Sequence, residues 1–136
     1  MKKILIIDDD TTFQKTMSDS LASLHYTVAS ALDGEEGLAK ALAEKPDLIL
    51  LDIKMPKMDG ITFLKKLQSG GEDSTKIPVL VTSNISTMDN ISEGIALGIK
   101  GYIVKSDESL DTIVQHVEEL LNPKKGVSGL PSRLIS

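Results

Sequence analysis

Three consecutive carboxylates, Asp8, Asp9 and Asp10, follow the apolar run Lys3–Ile7. A fourth, Asp52, closes the run Leu48–Leu51. Two more runs end in side chains that suit the same chemistry. Residues 79–81 (VLV) lead into Thr82 and Ser83, and Gly101–Val104 leads into Lys105. Carboxylates held within a few ångströms repel one another and do not all stay ionised unaided. A divalent cation removes the conflict, and oxygen donors without histidine or cysteine select a hard ion, with Mg2+ the expected one. Because Mg2+ also binds phosphate oxygens, a metal beside a carboxylate points to phosphoryl chemistry. Asp52 is then the expected acceptor, with Lys105 and the Thr82 hydroxyl each holding a phosphoryl oxygen. Taken singly, each residue has a blander use: a strand-end aspartate as a turn or helix cap, Lys105 as a solvated lysine, Thr82 as a strand-end residue. Their coincidence at the ends of four runs carries the inference.

Those ends can meet only if the elements before them lie side by side. The runs Lys3–Ile7, Leu48–Leu51 and 79–81 are short, continuous and rich in Ile, Leu and Val, as expected of strands buried on both faces of a parallel sheet. Residues 26–31 (YTVASA) and Gly101–Val104 read as weaker, edge-like strands. Amphipathic segments lie between them. Phe13, Met17, Leu21 and Leu24 fall at helical spacing. Asp33 with Glu36 makes an acidic capping box before Leu38, Ala41 and Leu42. Asp59 caps a helix through Phe63, Leu64 and Leu67 that ends at Gly70-Gly71. Ser86 with Asp89 opens another, carrying Ile91 and Ile95 and ending at Gly98. The strongest stripe, Leu110, Ile113, Val114, Val117, Leu120 and Leu121, stops at Asn122-Pro123. A strand followed by a helix, repeated through the chain, predicts an α/β fold: one doubly wound, five-stranded parallel sheet with five helices. The expected strand order is 2-1-3-4-5, the flavodoxin-like winding, whose sites form at the carboxyl ends of the strands.

The 136 residues fit one domain. It is expected over residues 1–122, with 123–136 (PKKGVSGLPSRLIS) a flexible tail. No cysteine is present, which excludes disulfides and thiolate metal sites. The apolar part of MKKILII is too short for a secretory signal, and no stretch approaches the ~20 residues needed to span a membrane. A cytoplasmic protein without membrane insertion is expected. A net charge of −5 and a lack of tryptophan speak against direct nucleic-acid binding. His25 and His116 stand isolated and suggest no phosphohistidine relay.

Over about residues 1–122 the chain resembles the receiver domain of bacterial two-component response regulators, of the stand-alone, chemotaxis-receiver-like kind. The segments ILIIDDD, LILLDIKMPKMDG, IPVLVTS and GYIVK carry the resemblance, and Pro56 and Gly60 follow Asp52 at the family's spacing. The resemblance implies that Asp52 is the phosphoacceptor and that Asp9 binds Mg2+ directly, with Asp8 acting largely through water. It implies that the Lys54 backbone carbonyl is a further metal ligand. Thr82 becomes the switch hydroxyl, Lys105 the phosphate-binding lysine, and Tyr102 an aromatic whose rotamer follows the switch. Phosphorylation would draw Thr82 and its loop towards the phosphoryl group and alter the surface of the fourth helix, fifth strand and fifth helix, about residues 84–121. The donor implied is a histidine kinase or phosphotransfer protein, with the first helix (Gln14, Lys15, Ser18) as its docking face. With no output domain following, effects are expected to pass to a downstream protein, and a monomer that is not a turnover enzyme is expected.

Two positions depart from the pattern or tune it. The family usually has a cis proline after the lysine, whereas Ser106 stands here, so the loop is either trans and rearranged or strained; Ser106 could instead cap the last helix. Lys54, two residues after the acceptor, is expected to alter phosphoryl lifetime. Competing readings are a phosphorylation-independent scaffold or adaptor of the same fold, a flavin-binding protein, and a Mg2+-dependent phosphatase. Three aspartates after strand 1 would repel a flavin phosphate, and no acid/base carboxylate follows Asp52 as a phosphatase would require.

Overall fold

Alternation within each apolar run decides which helices cover it. The computed structural model describes residues 1–84 and 87–122. The strands are β1 (Lys3–Ile7), β2 (Thr27–Ala31), β3 (Leu48–Leu51), β4 (Val79–Ser83) and β5 (Gly101–Val104), and the helices α1 (Thr11–Ser23), α2 (Gly34–Glu44), α3 (Gly60–Gln68), α4 (Glu72–Thr75), α5 (Met88–Ala96) and α6 (Leu110–Leu121). The sheet is parallel throughout, in the order β2-β1-β3-β4-β5. Leu5 and Ile7 of β1 join Ile49, Leu51, Val79 and Val81 in a core closed by Ala41, Phe63, Leu64 and Leu67 of α2 and α3. Ile4 and Ile6 point the other way, into a core with Leu48, Leu50, Leu80 and Ile103, closed by Met17 and Leu21 of α1 and Ile113, Val117 and Leu121 of α6. Runs that would be unreadable as one-sided strands are thus explained by a sheet covered on both faces.

Fully burying one such side chain contributes roughly 1.5–3 kcal/mol, so the central strands and α1, α2, α3 and α6 hold the fold. Of the longer helices, α5 adds least. Only Gly94 is buried along it, while Met88 and Ile95 are 73% and 64% exposed. Ile95, one of the two isoleucines expected on this amphipathic helix, faces solvent. Among the longer helices, one with so little apolar burial is the one whose displacement costs least.

The helix ends follow local chemistry, with three corrections. Asp10, Asp33 and Asp59 cap α1, α2 and α3 as carboxylate acceptors of first-turn amides. Helix α5 is capped by Thr87, not Ser86, because the Thr87 hydroxyl accepts from the Asn90 amide; Ser86 lies outside the described residues. Ser109, not Ser106, caps α6, its hydroxyl accepting from the Thr112 amide. The third correction is an added element, the one-turn helix α4, which makes the expected fourth and fifth helices α5 and α6. At the end of α5, Gly98 turns left-handed at φ 89. The expected tail, 123–136, lies outside the described residues.

Candidate functional site

The carboxyl end of β1 is fixed from both sides. Asp8 is fully buried, and its Oδ1 accepts from the Asp10 amide at 2.9 Å. Asp10 is turned away to cap α1, which leaves Asp9 exposed at the mouth of the site. Beneath them lies Gln14. It was expected on the outer face of α1 with Lys15 and Ser18, but it is buried. Its side-chain nitrogen donates to the carbonyls of Ile6 (2.9 Å), Asp8 (3.1 Å) and Ala31 (2.8 Å), pinning the ends of β1 and β2 together. Gln14 sits at helical spacing from Met17 and Leu21, so a signal was present: a polar residue on an apolar stripe must be satisfying backbone groups. Lys15 is exposed as expected.

Asp52 extends β3 next to this loop. Its amide donates to the Ile7 carbonyl at 2.9 Å, and its Oδ1 accepts from the Ile53 amide at 2.8 Å. The chain then loops out through Lys54, whose side chain is exposed, and returns where the Gly60 amide donates to the Ile53 carbonyl at 2.7 Å. A Cβ on Gly60 would lie 2.5 Å from the Asp52 carbonyl oxygen and 2.8 Å from the Ile53 Cα, both backbone atoms that cannot yield separately. Gly60→Ala is therefore expected to cost about 1–3 kcal/mol through overpacking. Urea denaturation should show a lower midpoint at unchanged slope; an unaltered midpoint would mean that the loop does not need glycine.

Two hydroxyls end β4. Thr82 is buried, and its Oγ1 has no hydrogen-bond partner among the described residues. Ser83, fully buried, interacts through its side chain with both the Asp52 carboxylate and the Tyr102 hydroxyl and lowers the pKa of each. Tyr102, half-buried on β5, is thereby connected to Asp52 through one intervening hydroxyl. Burial raises its pKa above the ordinary phenol value. No role had been assigned to Ser83, although its place beside Thr82 at a strand end was the available signal.

Lys105 follows β5 and reaches back across the sheet. Its Nζ lies 2.5 Å from Asp8 Oδ2 and 4.3 Å from the centre of the Phe13 ring. Phe13 supplies an apolar, electron-rich floor that steadies the ammonium, a contact that spacing along α1 does not reveal. Among the described residues there is no cis peptide bond. Lys105–Asp107 form a turn of 3-10 helix, and the Ser106 amide donates to the Asn84 side chain at 3.1 Å. The trans alternative is the one adopted.

Carboxylate oxygens of Asp8, Asp9 and Asp52 all lie within 4.8 Å of one another. Burial pushes the Asp8 carboxyl up to about 6 despite Lys105, which pulls it down. Burial also raises Asp52, opposed chiefly by the Lys105 charge. One nearby lysine therefore does not balance the buried acids. An all-oxygen set with uncompensated negative charge is the donor chemistry that Mg2+ requires.

The family model of the response regulator receiver domain matches residues 4–118. The chain belongs to the response regulator receiver family. Curated relatives include the alkaline phosphatase synthesis transcriptional regulatory protein PhoP of Bacillus subtilis, 39% identical over 76% of this chain and 42% of that protein. The response regulator MprA of Mycobacterium ulcerans is 32% identical over 90% of this chain and 51% of MprA. This receiver thus spans about half the length of these relatives. Among solved structures, the chemotaxis response regulator CheY4 of Vibrio cholerae is 30% identical with a TM-score of 0.81, covering 89% of this chain and 99% of that one. A CheY-like receiver domain from Methanospirillum hungatei has the same TM-score at 28% identity, over 92% and 97% of the two chains. No helix among the described residues of the receiver is long and apolar enough to cross a membrane.

Proposed function

We propose that the receiver is a phosphorylation-controlled signalling switch in which Asp52 accepts a phosphoryl group from a histidine kinase or phosphotransfer protein in a Mg2+-dependent reaction. The observation that carries this reading is the meeting of Asp8, Asp9 and Asp52 oxygens within 4.8 Å, beside the Lys105 ammonium and next in register to Thr82, whose hydroxyl is unpartnered among the described residues. An Asp52 carboxylate oxygen attacks phosphorus; the new O–P bond forms as the N–P bond of the donor phosphohistidine breaks, and the freed imidazole nitrogen takes a proton. Asp8, Asp9 and the Lys54 carbonyl, with Asp52, would hold the ion. When bound, Mg2+ supplies positive charge to the transferring phosphoryl oxygens.

Lys105 moves from its Asp8 pairing to a phosphoryl oxygen, and the Thr82 hydroxyl donates to another. Withdrawal of Thr82 carries its loop inward, and Tyr102 and the lightly anchored α5 follow. The changed surface is α5, β5 and α6, read by a downstream protein. The receiver acts as a cytoplasmic monomer and assists its own phosphorylation and dephosphorylation.

Acetyl phosphate with Mg2+ tests this by intact mass. One phosphoryl adduct on the wild-type protein, absent when EDTA is added, is the expected result. No adduct would favour the phosphorylation-independent scaffold. Lys105→Ala removes one preorganised donor to the phosphoryl oxygens, and such losses cost on the order of 100-fold in rate. The rate of adduct formation should fall by about that factor while the circular dichroism of the fold is kept; an unchanged rate would remove Lys105 from the reaction.

A further inference from the structure

The turn that carries Lys105 is tied to β4 by a side chain. Strands β4 and β5 pair with Ser83 opposite Val104, so Asn84 and Lys105 are the next residues on each side. Just past that register the Ser106 amide donates to Asn84 Oδ1 at 3.1 Å. A proline at 106 would have no such proton. Serine supplies it, in a trans 3-10 turn.

We propose that Asn84 and the Ser106 amide form a clamp that makes Asn84 a positioning residue for Lys105. The proposal rests on the reading of Asp52 as phosphoacceptor. Lys105 reaches Asp8 from a three-residue turn whose residues are not buried and whose N-terminus has no side-chain cap. Within the turn itself there is little packing to fix where the lysine starts. The Asn84 bond supplies that reference point from the neighbouring strand. Asn84 also lies two residues beyond Thr82. A pull on Thr82 therefore moves the clamp, and the clamp moves the turn that holds Lys105. The Thr82 and Lys105 contacts to a phosphoryl group become linked through one hydrogen bond.

Two measurements decide the matter. Hydrogen exchange of the Ser106 amide, read by NMR on unphosphorylated protein, should quicken several-fold in Asn84→Ala, and stay slow in Asn84→Asp, which keeps the acceptor. Adduct formation from acetyl phosphate should slow roughly tenfold in Asn84→Ala, as small misplacements of a reacting group do. In a Lys105→Ala background the same change at Asn84 should have no further effect. Unchanged Ser106 exchange in Asn84→Ala, or an equal loss of rate with and without Lys105, overturns the clamp. If wild-type protein forms no adduct, the proposed function fails, and the exchange result alone then decides whether the clamp exists.

Discussion

Asp52→Asn protein is expected to take up no phosphoryl group and to be more stable than wild type when metal is absent. Asparagine matches aspartate in size and keeps an oxygen that can accept from the Ile53 amide, as Asp52 Oδ1 does at 2.8 Å. The amide is not a nucleophile towards phosphorus, so the loss of adduct should be complete. The gain in stability follows from sign. Burial raises the Asp52 pKa in the folded state, so its charged form is disfavoured by folding at neutral pH. Removing the charge removes that penalty. Retained structure and a higher melting temperature in EDTA, together with no adduct, are the expected set. Adduct on Asp52→Asn would place the acceptor elsewhere.

The second large effect concerns Asp8. Its folded pKa, about 6, stands above the ordinary 3.8, so the folded state binds the extra proton between those values. The resulting stabilisation is full below pH 3.8 and is lost as pH rises through 6. A shift of about two pKa units corresponds to at most about 3 kcal/mol. The Lys105 pairing is already counted in that pKa. Metal-free wild type should therefore be less stable at pH 7.5 than at pH 5 from this group, by about half of that maximum, and Asp8→Asn should recover most of the difference, roughly 5 °C in melting temperature. Mg2+ should raise the wild-type melting temperature at pH 7.5 much more than at pH 5, and Asp8→Asn should lose most of that response. Calorimetry at the two pH values, with Mg2+ and with EDTA, reads all of this. A wild-type protein whose stability is indifferent to Mg2+ at pH 7.5 would contradict the metal-site reading.

Continuous apolar runs made the sheet legible, because only a strand covered on both faces tolerates Leu48–Leu51 without a polar break. Strand-end placement then puts Asp8, Asp9, Asp52, Thr82 and Lys105 at one edge of the sheet. Spacing was weaker where the structure is held by non-local bonds. Glutamine is usually a surface residue, yet three carbonyls converge on Gln14. Asn84 and Ser106 lie 22 positions apart, and their bond depends on the β4–β5 register. Thr87 won the cap of α5 over Ser86 by one residue, a margin at which cap signals cannot discriminate. Helix α4, one polar turn after Gly71, has no stripe from which to be read.

The central claim is that one carboxylate, at position 52, forms an acyl phosphate. Borohydride reduces an acyl phosphate to an alcohol and releases phosphate, which marks the acceptor permanently. After treatment with acetyl phosphate and Mg2+, then borohydride, peptide mapping should find the reduced side chain at Asp52 and at no other carboxylate. A mark on Asp8 or Asp9, or an unmarked Asp52 in protein that carries the adduct, would contradict the account.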